Sequence, residues 1–443
     1  MQWGRSVLKQ KMYWFLALVW MCSLPASAKI SDGDRIFHKI RPFLFQVKTS
    51  KDKNSPKASY GSGFLIRKDG IIVTNFHVIS DVVNDEDDLM QLFAIQGDDV
   101  YPASVLAFST TYDVALIKIE KTFSNCLNIR KSDPHSGESI FSLGLPKDLN
   151  MSIVEGKYNG LVERGVYRRN QMSTPINAGM SGGPTVDLNG EVVGVNVSGL
   201  MYANNLTFSV PRNHILDLML EYDTNKKPFD KKDKNVYITK QLLSVQNSLK
   251  DDLLKDIKIN EKQMGKWIIP IGPPKIQCWG NNESVDKGKM FVETQGCFLD
   301  FSSYLSSQTS GGTYELKFMN YVNKKKRSTS FVETLDGEFS TLGFSRGFFF
   351  GQIDTQYTKY SCGENFVTNK NGIRMKVVYC LTAYKDFAGL YSYHIKAISN
   401  NDTKDVIVFW ARLDGFTKDV VNEFTDKYLN SIRKVGSDAA AQN

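Results

Sequence analysis

A chain of 443 residues is more than one hydrophobic core ordinarily serves, so two domains are expected. Its 55 Lys and Arg against 47 Asp and Glu give a formal charge of +8, too mild to mark a nucleic-acid partner. Beyond the N-terminus no helix-length apolar run occurs, and the mature chain is expected to be soluble.

The first predicted element is a secretory signal. Arg5, Lys9 and Lys11 precede an apolar run from Met12 to Leu24, and Pro25-Ala26-Ser27-Ala28 supplies a small-residue site with cleavage expected after Ala28. The alternative is a retained membrane anchor, against which the run falls short of the ~20 residues a span needs. Val19-Trp20-Met21 before Cys22 lacks the small residues of a lipid-attachment site. Residues 1–28 hold three basic and no acidic residues, so the mature charge is about +5.

A short amphipathic helix is read over Ile36 to Val47. Gly61-Ser62-Gly63-Phe64-Leu65-Ile66 and Gly70 to Ile79 then read as a β-hairpin ending on a histidine, His77. Thr111-Tyr112-Asp113 places an acid just before the alternating strand Val114 to Ile119. Gly179-Met180-Ser181-Gly182-Gly183-Pro184 holds a serine between glycines, in a loop able to bend tightly and present bare N–H groups. Taken singly, these features fit a strand-end histidine, a turn aspartate and a tight turn. Together, in the order His, Asp, Ser, they form the constellation of nucleophilic acyl transfer.

On these motifs the chain resembles the trypsin-like serine proteases, and within them the HtrA/DegP branch, over roughly residues 35–220. Asn189 to Asn196 and Phe208-Ser209-Val210-Pro211 resemble the closing strands of that fold. The resemblance implies an all-β double barrel of two six-stranded sheets, with the site in the cleft between them. It implies Ser181 as nucleophile, His77 as general base, Asp113 as the group orienting the imidazole, and the N–H groups of Gly179 and Ser181 as oxyanion hole. Met180 departs from the family, whose digestive members carry Asp there and whose HtrA-like members usually carry Asn. Methionine cannot take the ion pair that couples N-terminal cleavage to pocket formation, so loop rearrangement is the expected switch. Pro175 stands where trypsin-like enzymes carry the acid that captures Arg or Lys. With Ile176 and Leu200 it implies an uncharged pocket for small or medium aliphatic residues, and Val197-Ser198-Gly199 would offer a strand edge to substrate.

Residues 223–235 are polar and lysine-rich and read as a linker. Leu242, Leu243, Val245, Leu249, Leu253, Leu254 and Ile257 then recur at helical spacing. No PDZ carboxylate-binding loop is recognisable after residue 222. Alternating runs such as Tyr314 to Phe318 and Met375 to Tyr379, with turns expected at Asp336-Gly337, Asn371-Gly372 and Asp414-Gly415, read as a small α+β domain. It closes on a helix whose Phe416, Val420, Phe424, Leu429 and Ile432 would face a sheet. Lys324 to Arg327 reads as a solvated hairpin turn, and the aromatic residues from Phe344 to Tyr360 as core filling. Four cysteines in this domain allow three connectivities; Cys278–Cys297 and Cys362–Cys380 are preferred, since each pair is closely spaced and brackets apparent β structure. No Cys-x-x-Cys or paired His accompanies them, and neither metal nor cofactor is expected. Cys126 is read as a buried free thiol.

The expected organisation is a signal peptide (1–28), a protease domain (29–222), a linker with an amphipathic helix (223–261), a C-terminal α+β domain (262–436) and a disordered tail (437–443). The expected function is that of an exported, periplasmic or secreted serine endopeptidase acting on unfolded or exposed polypeptide. Its C-terminal domain would recruit a protein partner or substrate, and a homo-oligomer is left open. The alternative is a protease-fold binding or chaperone-like protein that no longer cuts.

Overall fold

A computed structural model describes residues 31–55, 59–85, 87–146, 150–162, 168–197, 207–254, 261–271, 276–285, 290–304, 310–324, 333, 337, 357–399 and 404–436. The signal segment, Ser198, Gly199, Leu200, Ile257, Lys325 to Arg327, Asp336, the aromatic run 344–356 and the tail 437–443 lie outside the described residues.

Helix α1 (Asp32–Ile40) starts where the Ser31 hydroxyl accepts the Asp34 N–H. The sequence reading carried this helix to Val47. The structure stops the α-helix at Ile40, because Pro42 carries no N–H to donate, and a single 3-10 turn over Arg41–Phe43 follows. Leu44, Phe45 and Val47 instead enter a strand, where their side chains are buried.

That strand, β1 (Leu44–Ser50), opens a closed barrel with β2 (Ser59–Arg67), β3 (Ile71–Thr74), β4 (Gln91–Gln96), β5 (Asp99–Ser109) and β6 (Val114–Ile119), in the order β1-β2-β3-β6-β5-β4. β1 pairs antiparallel with both β2 and β4, which closes it. A second closed barrel joins β7 (Ser139–Gly144), β8 (Ser152–Val162), β9 (Arg169–Met172), β10 (Pro184–Asp187), β11 (Val192–Val197) and β12 (Thr207–Pro211) in the order β10-β11-β12-β9-β8-β7. Helix α2 (Phe76–Asn84) follows β3, and helix α3 (Arg212–Asn225) follows β12. The fold of this half is the trypsin-like double barrel.

Residues 223–235 differ from the expected linker. Asp223 to Asn225 form the last turn of α3, and α4 (Lys234–Leu254) begins one residue before the stretch ends. Nor is α4 a free connector. Ile238 and Leu242 are buried in the first barrel's core with Phe76 and Phe108, whereas Val245, Leu249, Leu253 and Leu254 belong to the C-terminal core. One helix therefore serves two cores.

The C-terminal half combines a three-stranded sheet and a seven-stranded antiparallel one. β13 (Glu261–Met264) and β14 (Trp267–Pro270) pair with β22 (Arg433–Lys434). The larger sheet has the order β15-β16-β17-β21-β20-β19-β18. Its strands are β15 (Gln277–Val285), β16 (Met290–Tyr304), β17 (Ser310–Asn323), β18 (Ser361–Thr368), β19 (Arg374–Ala383), β20 (Tyr391–Ser399) and β21 (Asp405–Phe416). Helix α5 (Lys418–Ser431) lays Val420, Val421, Phe424, Tyr428 and Leu429 into the core against Phe318 and Phe409. Phe416 closes β21 and Ile432 follows the helix, both fully buried. Asn371-Gly372 turns between β18 and β19, but Asp414-Gly415 does not turn. Tyr391 pairs with Phe416 and Ser392 with Asp414, so Gly415, at φ 80°, is the extra residue of a β-bulge inside β21. Both expected disulfides are present as direct cross-strand pairs, Cys278–Cys297 between β15 and β16 and Cys362–Cys380 between β18 and β19. Cys126 is a half-buried free thiol.

Candidate active site

The sequence reading put His77 at a strand end, but the structure puts it in the first turn of α2. β3 stops at Thr74, and Asn75 turns the chain into a helix that buries Phe76, Val78, Ile79 and Val83. That spacing keeps His77 on the helix's less buried side. Its backbone N–H donates to Asp113 Oδ1 at 2.9 Å, and its Nδ1 lies 2.7 Å from Asp113 Oδ2. Both carboxylate oxygens are thus committed to one histidine.

Asp113 is 2% exposed and sits at φ 58°, in the left-handed region that Asp tolerates better than most residues. Asn75 Nδ2 donates to its carbonyl at 2.6 Å. Burial works against a charged imidazole at His77, but the Asp113 charge and hydrogen bond outweigh it, so the His77 pKa is raised above 6.5. The nearby Arg169 opposes the rise.

Ser181 is 5% exposed and flanked by Gly179 at φ 92° and Gly182 at φ 86°. A Cβ on Gly182 would stand 2.2 Å from the Ser62 carbonyl, so only glycine lets the chain fold back at this point. Ser62 holds the loop from below. Its N–H donates to the Ser181 carbonyl at 2.7 Å, its hydroxyl donates to the Gly179 carbonyl at 2.7 Å, and the Leu145 N–H donates to that hydroxyl at 2.8 Å. The N–H groups of Met180, Gly182 and Gly183 are taken by Asn177, Asn196 and Met180 carbonyls. No hydrogen bond among the described residues takes the N–H of Gly179 or Ser181, nor the Ser181 hydroxyl. Met180 is fully buried beside Gly144, as an apolar plug rather than an ion-pair partner.

The order His77, Asp113, Ser181 on a double barrel invites comparison with known proteins. The model of the trypsin-like peptidase domain family matches residues 61–195, a span that holds all three. The human serine protease HTRA4 is 31% identical over 203 residues, covering 44% of this chain and 41% of the relative. The Xenopus laevis serine protease HTRA1 is 28% identical over 276 residues, covering 59% of this chain and 57% of the relative. The chain carries an HtrA-like, trypsin-like peptidase domain. It spans about half the length of the curated relatives it matches. A solved serine endoprotease from Yersinia pestis matches 45% of this chain and 70% of its own, at 22% identity and a TM-score of 0.39.

Of the expected pocket residues, Pro175, Ile176 and Val197 lie among the described residues. Pro175 is exposed. Ile176 is half-buried against Ile140, Tyr158, Met172 and Val193. Val197 packs instead on the inter-barrel core and pairs with Phe208, while the pairing of β11 with β10 stops at Val195.

The sequence reading missed the residues that hold the site together. Ser62 was visible only as part of a Gly-Ser-Gly string; the signal was its flanking glycines, since a Cβ on Gly61 would come within 2.8 Å of the Ser181 carbonyl. Asn196 fastens the nucleophile loop by accepting from Gly182 N–H at 3.0 Å and donating from Nδ2 to the Leu143 carbonyl at 2.8 Å. Arg169 donates to the Tyr112 carbonyl at 3.1 Å, and His214 stacks on the Tyr112 ring at 3.6 Å. Burial first, then Arg169 and Arg168, lower the His214 pKa to about 4, so this second histidine is neutral near pH 7.

Proposed function

We propose that the chain is an exported serine endopeptidase that cleaves unfolded or exposed polypeptide by way of an acyl-enzyme on Ser181. The observation that carries this reading is the closed His77–Asp113 pair, 2.7 Å between Nδ1 and Oδ2, on the same domain as a glycine-held serine. Ser181 Oγ attacks the scissile carbonyl while His77 Nε2 takes its proton, and the carbonyl oxygen becomes the oxyanion. His77 then returns the proton to the leaving amine, and water repeats the sequence to free the acid. Asp113 holds the imidazole in the tautomer whose Nε2 accepts the proton and stabilises the charged ring. The uncommitted N–H groups of Gly179 and Ser181 serve the oxyanion, where the loss of one donor costs about 2.7–4 kcal/mol. The Ser181–His77 hydrogen bond forms as substrate seats, as apo sites of this kind commonly require.

An uncharged Pro175 and an apolar setting at Ile176 favour cleavage after Val, Ile or Ala over Arg or Lys. Export is supported by the basic, apolar and small-residue plan of residues 1–28 together with two disulfides, which persist in oxidising compartments. A fluorophosphonate probe tests the activity. The wild type should be labelled and Ser181→Ala should not. Mass-spectrometric mapping of cut sites in an unfolded protein should show aliphatic residues at the cleaved bond. A wild type that takes no label under any condition would favour a binding protein on a protease fold.

A further inference from the structure

Asp113 ends a short loop, 110–113, which is gripped from four directions. Asn75 binds the carbonyl of Asp113, Arg169 binds that of Tyr112, and His214 stacks on the Tyr112 ring. The fourth grip comes from outside the barrels. Gln241 on α4 accepts the Thr110 N–H at 2.8 Å and the Thr110 hydroxyl at 2.9 Å on the same Oε1. Its Nε2 donates to the Phe108 carbonyl at 3.0 Å. Thr110 is 1% exposed, so these bonds form away from competing water. They fasten the chain three residues before an aspartate whose own backbone, at φ 58°, depends on its surroundings.

The helix that carries Gln241 does not set its own position. Ile238 and Leu242 seat it on the first barrel, while Leu249, Leu253 and Leu254 seat it in the C-terminal core. Five residues beyond Gln241, Gln246 Oε1 accepts the Thr417 N–H at 2.5 Å, and its Nε2 donates to the Thr417 hydroxyl at 3.3 Å. Thr417 is the N-cap of α5, the helix that covers the C-terminal sheet. Two glutamines on one helix thus hold the loop of Asp113 and the main C-terminal helix.

We propose that Gln241 is a positioning residue for Asp113, through which the seating of the C-terminal domain on α4 sets the Asp113–His77 contact. The inference rests on the endopeptidase reading above. Gln241 touches no reacting atom; it acts through Thr110 and the backbone to Asp113, and thence on how firmly the charged imidazole is held.

The test uses the full chain, with active sites titrated by a fluorophosphonate so that unfolded protein is not counted. A fluorogenic peptide with valine at the cleaved bond gives kcat, KM and their pH dependence. Gln241→Leu should lower kcat about tenfold, the worth of one lost hydrogen bond expressed in the transition state. KM should stay within about twofold. The acid limb of kcat/KM should move to lower pH, because a loosened Asp113 stabilises the imidazolium less. Thr110→Val should reproduce the direction, Thr110→Ser should restore wild-type behaviour, and the Gln241→Leu/Thr110→Val pair should be no worse than Gln241→Leu alone. Gln246→Leu, which leaves the 110–113 loop untouched, should shift the limb the same way by less.

A Gln241→Leu protein with wild-type kcat and acid limb, or one impaired only through KM, overturns the proposal. An unmoved Gln246→Leu overturns the part played by the C-terminal domain. A wild type that neither labels nor cleaves overturns the endopeptidase reading itself, and is told apart from the other failures by that.

Discussion

In the peptidase domain, β1 returns to pair with β4 and β10 with β7, so neither sheet has a free edge. In the large C-terminal sheet, β15 and β18 each have a neighbour on one side only. Both disulfides lie at those two edges, each tying the outermost strand to the next, while the barrels keep Cys126 as a free thiol. A closed sheet satisfies its backbone groups through topology, whereas an open one leaves two strands held by a single row of hydrogen bonds. The crosslinks sit where the open sheet is weakest. The comparison also separates the uses of buried polar groups. In the first half they converge on the 110–113 loop and on the turn at Ser181. In the second half Ser392, His394, Arg412 and Asp414 are tied mainly to one another across β20 and β21.

The largest effect that would sharpen this contrast is confined to one side chain. Asp113→Asn should lower kcat about 10⁴-fold by turning His77 into the wrong tautomer, while circular dichroism keeps the wild-type signal. A loss of fold with that variant would mean that the polar cluster is structural rather than chemical. Gly182→Ala comes next. Its Cβ meets the Ser62 carbonyl at 2.2 Å with φ at 86°, so Ser181 labelling should be lost and the first half destabilised by about 3 kcal/mol or more, read from its unfolding transition.

Reduction tests the edge argument directly. Each disulfide closes a span of 19 or 18 residues and should contribute about 3 kcal/mol in the chain-entropy model. Reductant should speed limited proteolysis beyond residue 262 while Ser181 labelling stays largely intact, because α4 packs on β21, a central strand, whereas both disulfides lie on the outer strands. Labelling lost on reduction would break the comparison.

The smallest effects are those of pH. His77 is the base only when neutral, and its pKa is raised above 6.5, so kcat/KM should fall as pH drops through a value above 6.5. For stability the same shift favours the folded state below pH 6.5 and loses that benefit as pH rises through the raised value. The buried His214 and His394 act in the opposite sense. Burial is the largest cause for each and lowers each pKa to about 4. The unfolded chain binds their protons first, so acid should weaken both halves between pH 6.5 and about 4. Hydrogen exchange followed across that window should show protection falling around α3 and around β20 alike.

The amino-acid order by itself determined what short-range chemistry dictates. Gly179 to Gly183 had to bend, residues 114–119 had to extend as a strand, Asn371-Gly372 had to turn, and two closely spaced cysteine pairs each suited a pair of neighbouring strands. The order His, Asp, Ser then selected the double barrel. Only the tertiary structure decided the rest. Asp414-Gly415 has the same local signature as a true turn, and pairing with β20 on both sides of Gly415 made it a bulge. His77 follows a strand-like run, and burial of Phe76, Val78, Ile79 and Val83 wound it into a helix. Periodicity on α4 announced an apolar face without saying that two cores would share it. Gln241 stood 128 residues beyond Asp113 with no local signal at all, and the packing at both ends of α4 is what brings its amide to Thr110. Local sequence fixes which conformations a segment prefers; which polar groups meet across the chain depends on the packing of whole elements, and no window of neighbouring residues contains that information.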